Sequence, residues 1–488
     1  MNKFYITTTL PYVNSDPHLG FAKEIINADI IARYKRQRGY EVFFNTGTDE
    51  HGKKIYQKAE ELGIDVLDYC RQYSEKFLEL KSHLNLSFNN FIRTTDVQHI
   101  KAVQKFWEIC QKNGDIYKKK YKTKYCVGCE MEKTDSELKN GFCPFHPNQK
   151  IEIIEEENYF FKFSNYQKKI LKFYQDHPDF VYPVGRYNEI ISFVKSGLND
   201  FSISRLKDKM PWGIGVPGDD SQVIYVWFDA LINYISCLGW PDNLENFSAF
   251  WPGIQVCGKD NLRPQTAMWT AMLMSAGIPI SKNILVFGFL TINGQKISKS
   301  TGNVINLLEL IEKYPSDVIR YYLAKEISTF EDGDFSYEKL EKLYTSDLMN
   351  GLGNLTARVS NLIEKFSTSI NLEKINYQGE NPLIPETWKN NNFLINFDKK
   401  MEDYKLNEVL SLIISKVKET DEFLSQKAPW KMEAGEDRDK VLQIASENIL
   451  LIAVLIFPFI PVSADKIIKQ FNSNKIIKGE ILFPRLIN

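Results

Sequence analysis

The chain has 488 residues, of which 43% are hydrophobic and 25% are charged, and its formal net charge at pH 7 is −1. This length predicts two to four domains, and the balanced charge argues against a protein that coats nucleic acid by charge alone, although an RNA partner read by shape is compatible with it. Seven cysteines in so long a chain, with neither a secretory signal nor an apolar run that could span a membrane, predict a cytoplasmic protein without membrane contact.

The N-terminal region predicts a parallel βαβ unit. Residues 4–8 favour a strand, and residues 22–38 carry isoleucines at helical spacing up to Gly39. Residues 41–45 then favour a second strand that closes at Gly47. A strand, a crossover helix and a second strand in this order are typical of doubly wound α/β folds.

The rest of the chain predicts an insertion and a helical end. We expect a Rossmann-type parallel sheet that is split by a zinc-binding insertion and followed by an all-α C-terminal bundle. Strand-like runs at residues 222–228, 255–257 and 284–289 are expected to complete the sheet. The predicted divisions are 1–116 and 222–280 for the two halves of the Rossmann domain, 117–221 for the inserted connective subdomain, 281–343 for a region with a basic loop, and 344–488 for the helical domain.

A first motif, Pro17-His18-Leu19-Gly20, lies where the first strand's loop meets the first helix. A helix N-terminus offers free amide groups and a positive dipole end, which suit a polyphosphate. Gly20 would let the backbone approach a ligand closely, and His18 could donate a hydrogen bond to phosphate oxygens. Taken alone, so short a motif is equally compatible with an ordinary capping loop.

A second motif, Lys296-Ile297-Ser298-Lys299-Ser300, follows Gly294. Two lysines and two hydroxyl groups in a loop flanked by glycine suit a mobile clamp on pyrophosphate oxygens. An isolated case of this kind would usually be a solvated basic turn. The two motifs in this order on a βαβ frame are much more specific than either one.

A third motif pairs Cys126-x-x-Cys129 with Cys143-x-x-His146. Three thiolates and one imidazole can complete a tetrahedral zinc shell, and a zinc ion with four protein ligands is normally structural. We therefore expect one structural Zn²⁺, with a chance clustering of cysteines as the alternative. The other four cysteines, Cys70, Cys110, Cys237 and Cys257, lie in apolar patterns that favour core positions.

The first two motifs resemble the signatures of class I aminoacyl-tRNA synthetases, and the resemblance to the methionyl family covers essentially the whole chain. Supporting stretches lie at residues 7–14, 46–52, 225–230, 258–260 and 317–322. The resemblance implies ATP-dependent activation of L-methionine, with Mg²⁺ on the ATP phosphates, and transfer to the 3′ end of tRNA(Met). It also implies that residues 281–343 contact the tRNA stem and that residues 344–488 bind the anticodon. We expect a monomer, because no appended module of the dimerising kind is visible.

The resemblance also implies roles for individual residues. The implied catalytic residues are His18, Lys296 and Lys299; the implied ATP-binding residues are His18, Gly20, Gly258, Asp260 and Lys299. The implied methionine-binding residues are Leu10, Tyr12, Asp49, Trp227, Tyr234, Asn261 and Gln265, and the implied anticodon-binding residues are Asn354, Arg358 and Trp430. Asp49 could instead be an ordinary turn aspartate, and Trp430 could be a packed corner. Leu10, Tyr12, Trp227 and Tyr234 could be plain hydrophobic core.

Three positions depart from the family pattern. Phe21 stands where the first motif usually ends in a second histidine, and Asn261 and Gln265 stand where an isoleucine and a histidine are usual. We interpret these changes as a branch variant of the pocket. The alternatives are a nucleotidyltransferase that shares the first motif, a catalytically silent paralogue that binds RNA, and a sibling synthetase with another amino acid.

Overall fold

The structure is a computed structural model that describes residues 1–128, 131–133, 135–292, 294–296, 305–377, 379 and 381–485. Within this part of the chain the strands form one parallel sheet and three smaller sheets. The strands are β1 Lys3–Thr7, β2 Glu41–Thr48, β3 Asn90–Arg93, β4 Ile116–Cys126, β5 Met131–Lys133, β6 Glu152–Phe161, β7 Val181–Tyr182, β8 Phe201–Ser202, β9 Ser204–Leu206, β10 Gly215–Val216, β11 Asp219–Ile224, β12 Ile254–Gly258, β13 Asn283–Phe287, β14 Leu290–Ile292, β15 Gln295–Lys296 and β16 Gly333–Asp334.

Helices cover the sheet and make up most of the C-terminal region. They are α1 Leu19–Gln37, α2 Lys53–Leu62, α3 Val66–His83, α4 Val97–Lys112, α5 Gln167–Asp176, α6 Val184–Lys195, α7 Val226–Ala230, α8 Asn233–Ser236, α9 Leu244–Phe250, α10 Trp269–Ala276, α11 Leu307–Lys313, α12 Ser316–Lys325, α13 Tyr337–Leu343, α14 Asn354–Phe366, α15 Asn392–Glu402, α16 Leu406–Lys427, α17 Glu436–Ile456 and α18 Pro461–Phe471. Two π-helical segments, Pro264–Met268 and Tyr344–Gly353, precede α10 and α14.

The large sheet has the order β3-β2-β1-β12-β13-β7, and all of its neighbouring strands are parallel. Its central strands are buried on both faces, as parallel strands covered by helices must be. The chain order runs one way from β1 to β3 and the other way from β12 to β13, so the sheet has a topological switch point between β1 and β12. Ligands of such sheets bind outside the carboxyl ends of the strands at this point.

The structure confirms the predicted α/β class and βαβ unit, with two corrections to the strands. Gly47 does not end the second strand, because β2 continues to Thr48. A Cβ atom at Gly47 would lie 1.8 Å from the Ile92 carbonyl oxygen of β3, so the glycine is what allows these two strands to pair closely.

The prediction that the run at residues 222–228 completes the parallel sheet is wrong. Its first half belongs to β11, which pairs with β9 and β10 in an antiparallel sheet, and its second half forms α7. The residues at the start of β11 are exposed, which suits an antiparallel strand that faces solvent on one side. The sheet takes its edge strand β7 instead from within residues 117–221.

The C-terminal region is helical, as predicted. The apolar run that starts at Ile449 is the end of α17, and its residues up to Ile456 are buried. None of the helices in the described part of the chain is both long and apolar enough to cross a membrane.

A buried ion-pair network joins α1 to the C-terminal helices. Asp29 accepts hydrogen bonds from Arg33 Nε at 2.8 Å and from Arg320 Nη2 at 2.7 Å. Arg320 is fully buried and also donates to the carbonyl oxygens of Pro458 at 2.7 Å and Phe459 at 2.9 Å. Burial by itself would raise the pKa of Asp29, but the two arginines hold this pKa well below its usual value.

Replacing Arg320 by methionine should destabilise the fold, because it leaves Asp29 with one guanidinium partner and leaves buried carbonyl groups without a donor. Loss of one partner from a buried ion pair typically costs about 3–5 kcal/mol. Urea unfolding followed by circular dichroism measures the change. Lys172→Met is the matched control, since Lys172 makes an exposed ion pair with Asp176. Equal unfolding midpoints for the two variants would contradict the assigned role of Arg320.

Candidate functional site

A cleft of about 1310 Å³ opens at the switch point of the parallel sheet. Its walls come from the loop after β1, the start of α1, the end of β2, α7 and the turn after β12. Most residues predicted to bind the nucleotide or the amino acid line this cleft: Leu10, Tyr12, His18, Gly20, Asp49, Trp227, Tyr234, Gly258, Asp260, Asn261 and Gln265. The structure thus brings together side chains that are up to about 250 residues apart in the sequence.

His18 is the N-cap of α1, and its Nδ1 accepts a hydrogen bond from the Phe21 backbone N–H at 3.2 Å. Because Nδ1 is an acceptor, the neutral ring carries its proton on Nε2. The Phe21 ring packs edge-on against Phe77, with 5.4 Å between ring centroids. The first turn of α1 therefore offers an imidazole donor and backbone amides, but no second imidazole.

The second motif is described only at the backbone of its first residue. Lys296 ends β15, and its side chain lies outside the described residues, as do residues 297–300, including Lys299. Where the described chain resumes, Asn306 forms an isolated backbone bridge with His18 and caps α11. The described chain therefore resumes next to the start of α1.

The turn after β12 faces this helix start across the cleft. Gly258 ends β12, and residues Lys259–Asn261 form a 3₁₀ turn. A Cβ atom at Gly258 would lie 2.8 Å from Asp260 Oδ1, so a larger residue would displace that carboxylate. The geometry keeps an acidic group and free backbone at the same edge, which suits hydroxyl groups of a ribose.

Asp49 lies at the carboxyl end of β2 and is 4% exposed. Its backbone bonds to the loop after β1 through Asp49 N to Pro11 O at 2.9 Å and Val13 N to Asp49 O at 3.3 Å. These bonds hold Tyr12 beside Asp49 in an isolated bridge. A buried carboxylate next to an aromatic ring is a suitable site for a small ammonium group.

A buried network lies behind Asp49 and Trp227. Asp229, on the same short helix as Trp227, accepts from His51 Nδ1 at 2.7 Å and from His99 Nε2 at 2.8 Å. Burial by itself would raise the pKa of Asp229, but the two histidines hold this pKa below its usual value. The network joins α7 to α4 and to the end of β2, so it fixes the aromatic wall relative to Asp49.

The other end of the wall contains Tyr234 and Gln265. Gln265 Nε2 donates to the Tyr234 hydroxyl oxygen, and Gln265 is 2% exposed. Tyr5 OH donates to the Tyr234 carbonyl oxygen at 2.9 Å, which anchors the backbone of α8 to β1. The amide of Gln265 thus keeps the Tyr234 hydroxyl in place and leaves that hydroxyl proton able to point elsewhere.

The sequence did not single out Lys23 and Glu24, which also line the cleft. Glu24 Oε1 accepts from the Thr9 backbone N–H at 3.0 Å and from the Thr9 hydroxyl. Burial raises the pKa of Glu24 to about 7. The available signal was two adjacent charged residues inside an otherwise apolar stretch of α1, five and six residues after His18.

A cluster of metal-binding groups lies beside the same cleft, at the end of β4 and in the segment between β5 and β6. The ligand atoms of Cys126, Cys143 and His146 lie within 4.8 Å of one another. His146 Nδ1 is 3.8 Å from Cys126 Sγ and 3.9 Å from Cys143 Sγ. Zinc held tetrahedrally at about 2.3 Å from sulfur and about 2.0 Å from nitrogen separates its ligands by roughly 3.5–3.8 Å, so this group fits such an ion. Cys129, the predicted fourth ligand, lies outside the described residues.

A third group of predicted residues lies in the helical region. Arg358 on α14 lies over the Trp430 ring, with 4.5 Å from the guanidinium carbon to the ring centroid. Arg358 Nη1 also donates to Asp421 at 2.9 Å. Trp430 is 38% exposed, and Asn354 lies exposed one turn before Arg358. The structure therefore brings these three residues to one surface.

The chain is similar to known proteins along nearly its whole length. The family model described as tRNA synthetases class I (M) matches residues 4–151 and 132–360. Methionine–tRNA ligase of Thermotoga maritima is 41% identical over 96% of this chain and 75% of its own length. Methionine–tRNA ligase of Rickettsia conorii is 40% identical over 100% of this chain and 95% of its own length.

Solved structures agree with the sequence relatives. The structure of Mycobacterium tuberculosis methionyl-tRNA synthetase in complex with methionyl-adenylate superposes with a TM-score of 0.91 at 33% sequence identity. The match covers 99% of this chain and 100% of that one.

Proposed function

Since the chain belongs to the methionine–tRNA ligase family of class I tRNA synthetases, we propose that it activates L-methionine with ATP and transfers the methionyl group to the 3′ end of tRNA(Met). The observation that carries this proposal is the single cleft at the switch point of the sheet, which the residues predicted for both small substrates line together. In this proposal the nucleotide binds at the start of α1 and the amino acid binds beside Asp49, so the two reactants meet within one cleft.

In the first step, the methionine carboxylate attacks the α-phosphorus of ATP, and pyrophosphate leaves. Asp49 binds the ammonium group, while Leu10, Tyr12, Trp227 and Tyr234 surround the thioether, whose polarizable sulfur suits aromatic faces. Asn261 and Gln265 form the polar part of this wall. Holding the carboxylate in line with the α-phosphate supplies much of the rate enhancement.

The nucleotide is held by the opposite wall. Gly20 and the other backbone N–H groups at the start of α1 donate hydrogen bonds to the phosphates, and Gly258 and Asp260 bind the ribose. His18 donates from Nε2 to oxygens that gain charge as the pyrophosphate leaves, and Lys296 and Lys299 neutralise the leaving group. Mg²⁺ bound with ATP would add charge neutralisation on the phosphates. In the second step, a ribose hydroxyl of the tRNA attacks the adenylate carbonyl, and AMP leaves.

Exchange of labelled pyrophosphate into ATP, tested with each of the twenty amino acids without tRNA, is the experiment that tests the activation step. We expect exchange with methionine alone, because the wall keeps its aromatic residues and Gln265 keeps Tyr234 in place. Exchange with another amino acid would instead identify a sibling specificity. No exchange from folded protein with bound metal would favour a silent RNA-binding paralogue.

We also propose that the Cys126, Cys143 and His146 cluster, completed by Cys129, holds one structural zinc ion. Metal analysis of the purified protein should give about one zinc per chain, and Cys143→Ser should lower this content because it removes one thiolate ligand. Cys257→Ser is the matched control, since Cys257 is a buried cysteine of β12. An unchanged zinc content in Cys143→Ser would refute the assignment.

The surface formed by Asn354, Arg358 and Trp430 is our proposed anticodon site, where an unpaired base stacks on the indole ring. Replacing Arg358 by glutamine should lower kcat/KM for tRNA charging about tenfold, the equivalent of ~1.4 kcal/mol. Pyrophosphate exchange without tRNA should stay unchanged, because α14 does not line the cleft.

Arg71→Gln is the control for this variant, since Arg71 makes an exposed ion pair with Asp68 on α3. A loss of charging shared by both variants, or a loss of exchange in Arg358→Gln, would argue against the anticodon site.

The division into domains, the monomeric state and the cytoplasmic location stay predictions. The edge strand β7 comes from residues 117–221 and pairs with β13, so we propose an insertion that contributes one strand to the catalytic sheet. Size-exclusion chromatography with light scattering distinguishes a monomer from a dimer.

A further inference from the structure

Lys23 is a lysine that helix α1 buries beside the cleft, with 2% of its surface exposed. Its Nζ donates a hydrogen bond to the Gly288 carbonyl oxygen at 2.8 Å. Lysine is among the residue types least often buried, because its charged form loses hydration there. A leucine or methionine would fill the same position at lower cost to folding, so the amino group needs an explanation.

Gly288 and Phe289 lie between β13 and β14, and they also connect to the turn after β12. The Phe289 backbone N–H donates to Asp332 at 2.7 Å, and Asp332 pairs with Lys259 Nζ at 2.6 Å. Lys259 immediately precedes Asp260, the proposed ribose ligand. The bond from Lys23 therefore ties the start of α1 to the backbone that joins the other elements of the nucleotide site.

The same backbone is the base of the hairpin that carries the second motif. β14 pairs with β15 in antiparallel fashion, with Thr291 opposite Lys296. A displacement at Gly288 and Phe289 would therefore move this hairpin relative to His18. Errors of about 1 Å in such positions can cost up to roughly a hundredfold in rate.

The protonation of Lys23 favours a role for its hydrogen bond over a role for its charge. Burial is the main effect that lowers the pKa of Lys23 to about 7, and the charge of Lys259 lowers this pKa as well. The charges of Asp332 and Glu24 act in the opposite direction and raise it. Near neutral pH the group is therefore a mixture of ammonium and amine. Both forms have an N–H group that can donate to Gly288.

Resting on the proposed function, we propose that Lys23 is a positioning residue for adenylate formation. Its bond to the Gly288 carbonyl oxygen fixes the start of α1 relative to the base of the hairpin of β14 and β15, so that His18 stays in position against the ATP phosphates. Phe21 offers no such contact, because its ring packs against Phe77. A positioning role of this kind acts on the transition state, so it affects kcat more than the KM of either substrate.

The test is steady-state pyrophosphate exchange with methionine for the wild-type chain, Lys23→Met and Lys23→Arg. The methionine variant keeps the volume and loses the donor, so kcat should fall about ten- to a hundredfold, with KM for ATP and methionine within about threefold. The arginine variant keeps a donor and should recover most of kcat. Lys101→Met, at an exposed lysine of α4, should behave as the wild type.

The outcomes separate this inference from the proposed function. Failure of wild-type exchange would reject the function itself, whereas normal wild-type exchange with unchanged kcat in Lys23→Met would overturn the positioning role alone. A raised KM for ATP at unchanged kcat would also overturn it, because Lys23 would then be a ground-state contact. If Lys23→Met does not fold, a folded Lys23→Arg with kcat lowered more than about tenfold overturns the proposal, and near-normal kcat supports it.

Discussion

The structure depends on the polar and charged groups of α1, a helix that is buried along almost its whole length. Its 19 residues extend for about 28 Å, from the cleft at its N-terminus to the helical region at its C-terminus. Charges in such a helix must be paired, because an unpaired buried charge costs several kcal/mol. Lys23 donates a hydrogen bond to the Gly288 carbonyl oxygen, Asp29 forms an ion pair with Arg320, and Lys35 forms an ion pair with Glu402. Each of these contacts fixes a different part of the chain to α1.

This arrangement explains how the proposed nucleotide site and the proposed anticodon-binding region can be held in fixed relative positions. Gly288 lies at the base of the hairpin of β14 and β15, and Glu402 belongs to α15 in the helical region. The proposed zinc cluster of Cys126, Cys143 and His146 lies against the same cleft, since His146 lines the cleft together with Asp49. The site is thus assembled from elements whose relative positions are set by buried polar contacts, which tolerate less displacement than apolar packing does.

The sequence was most informative where a local pattern has a local cause. The helical spacing of residues 22–38 predicted α1 closely. The cysteine and histidine spacing predicted a cluster of four residues, and the structure brings together the three that it describes. It was least informative where pairing partners are distant. The run at residues 222–228 looked like a sheet strand, but its pairing with β9 and β10 depends on chain segments that no local pattern specifies. The two-residue strand β7 is too short to leave a pattern, and Lys23 is a single charge whose partner is 265 residues away.

The departures from the family pattern become clearer once their neighbours are known. Gln265 stands where a chargeable imidazole is usual and is a neutral amide that donates to Tyr234. The proposed amino-acid end of the cleft therefore has a hydrogen-bond donor at this position that does not ionise near neutral pH. The α1 side of the cleft has the opposite character, because burial brings the pKa values of both Lys23 and Glu24 to about 7. As pH rises through this range, one group loses a positive charge and the other gains a negative one. Both changes make the cleft more negative, which disfavours binding of a polyanion such as ATP.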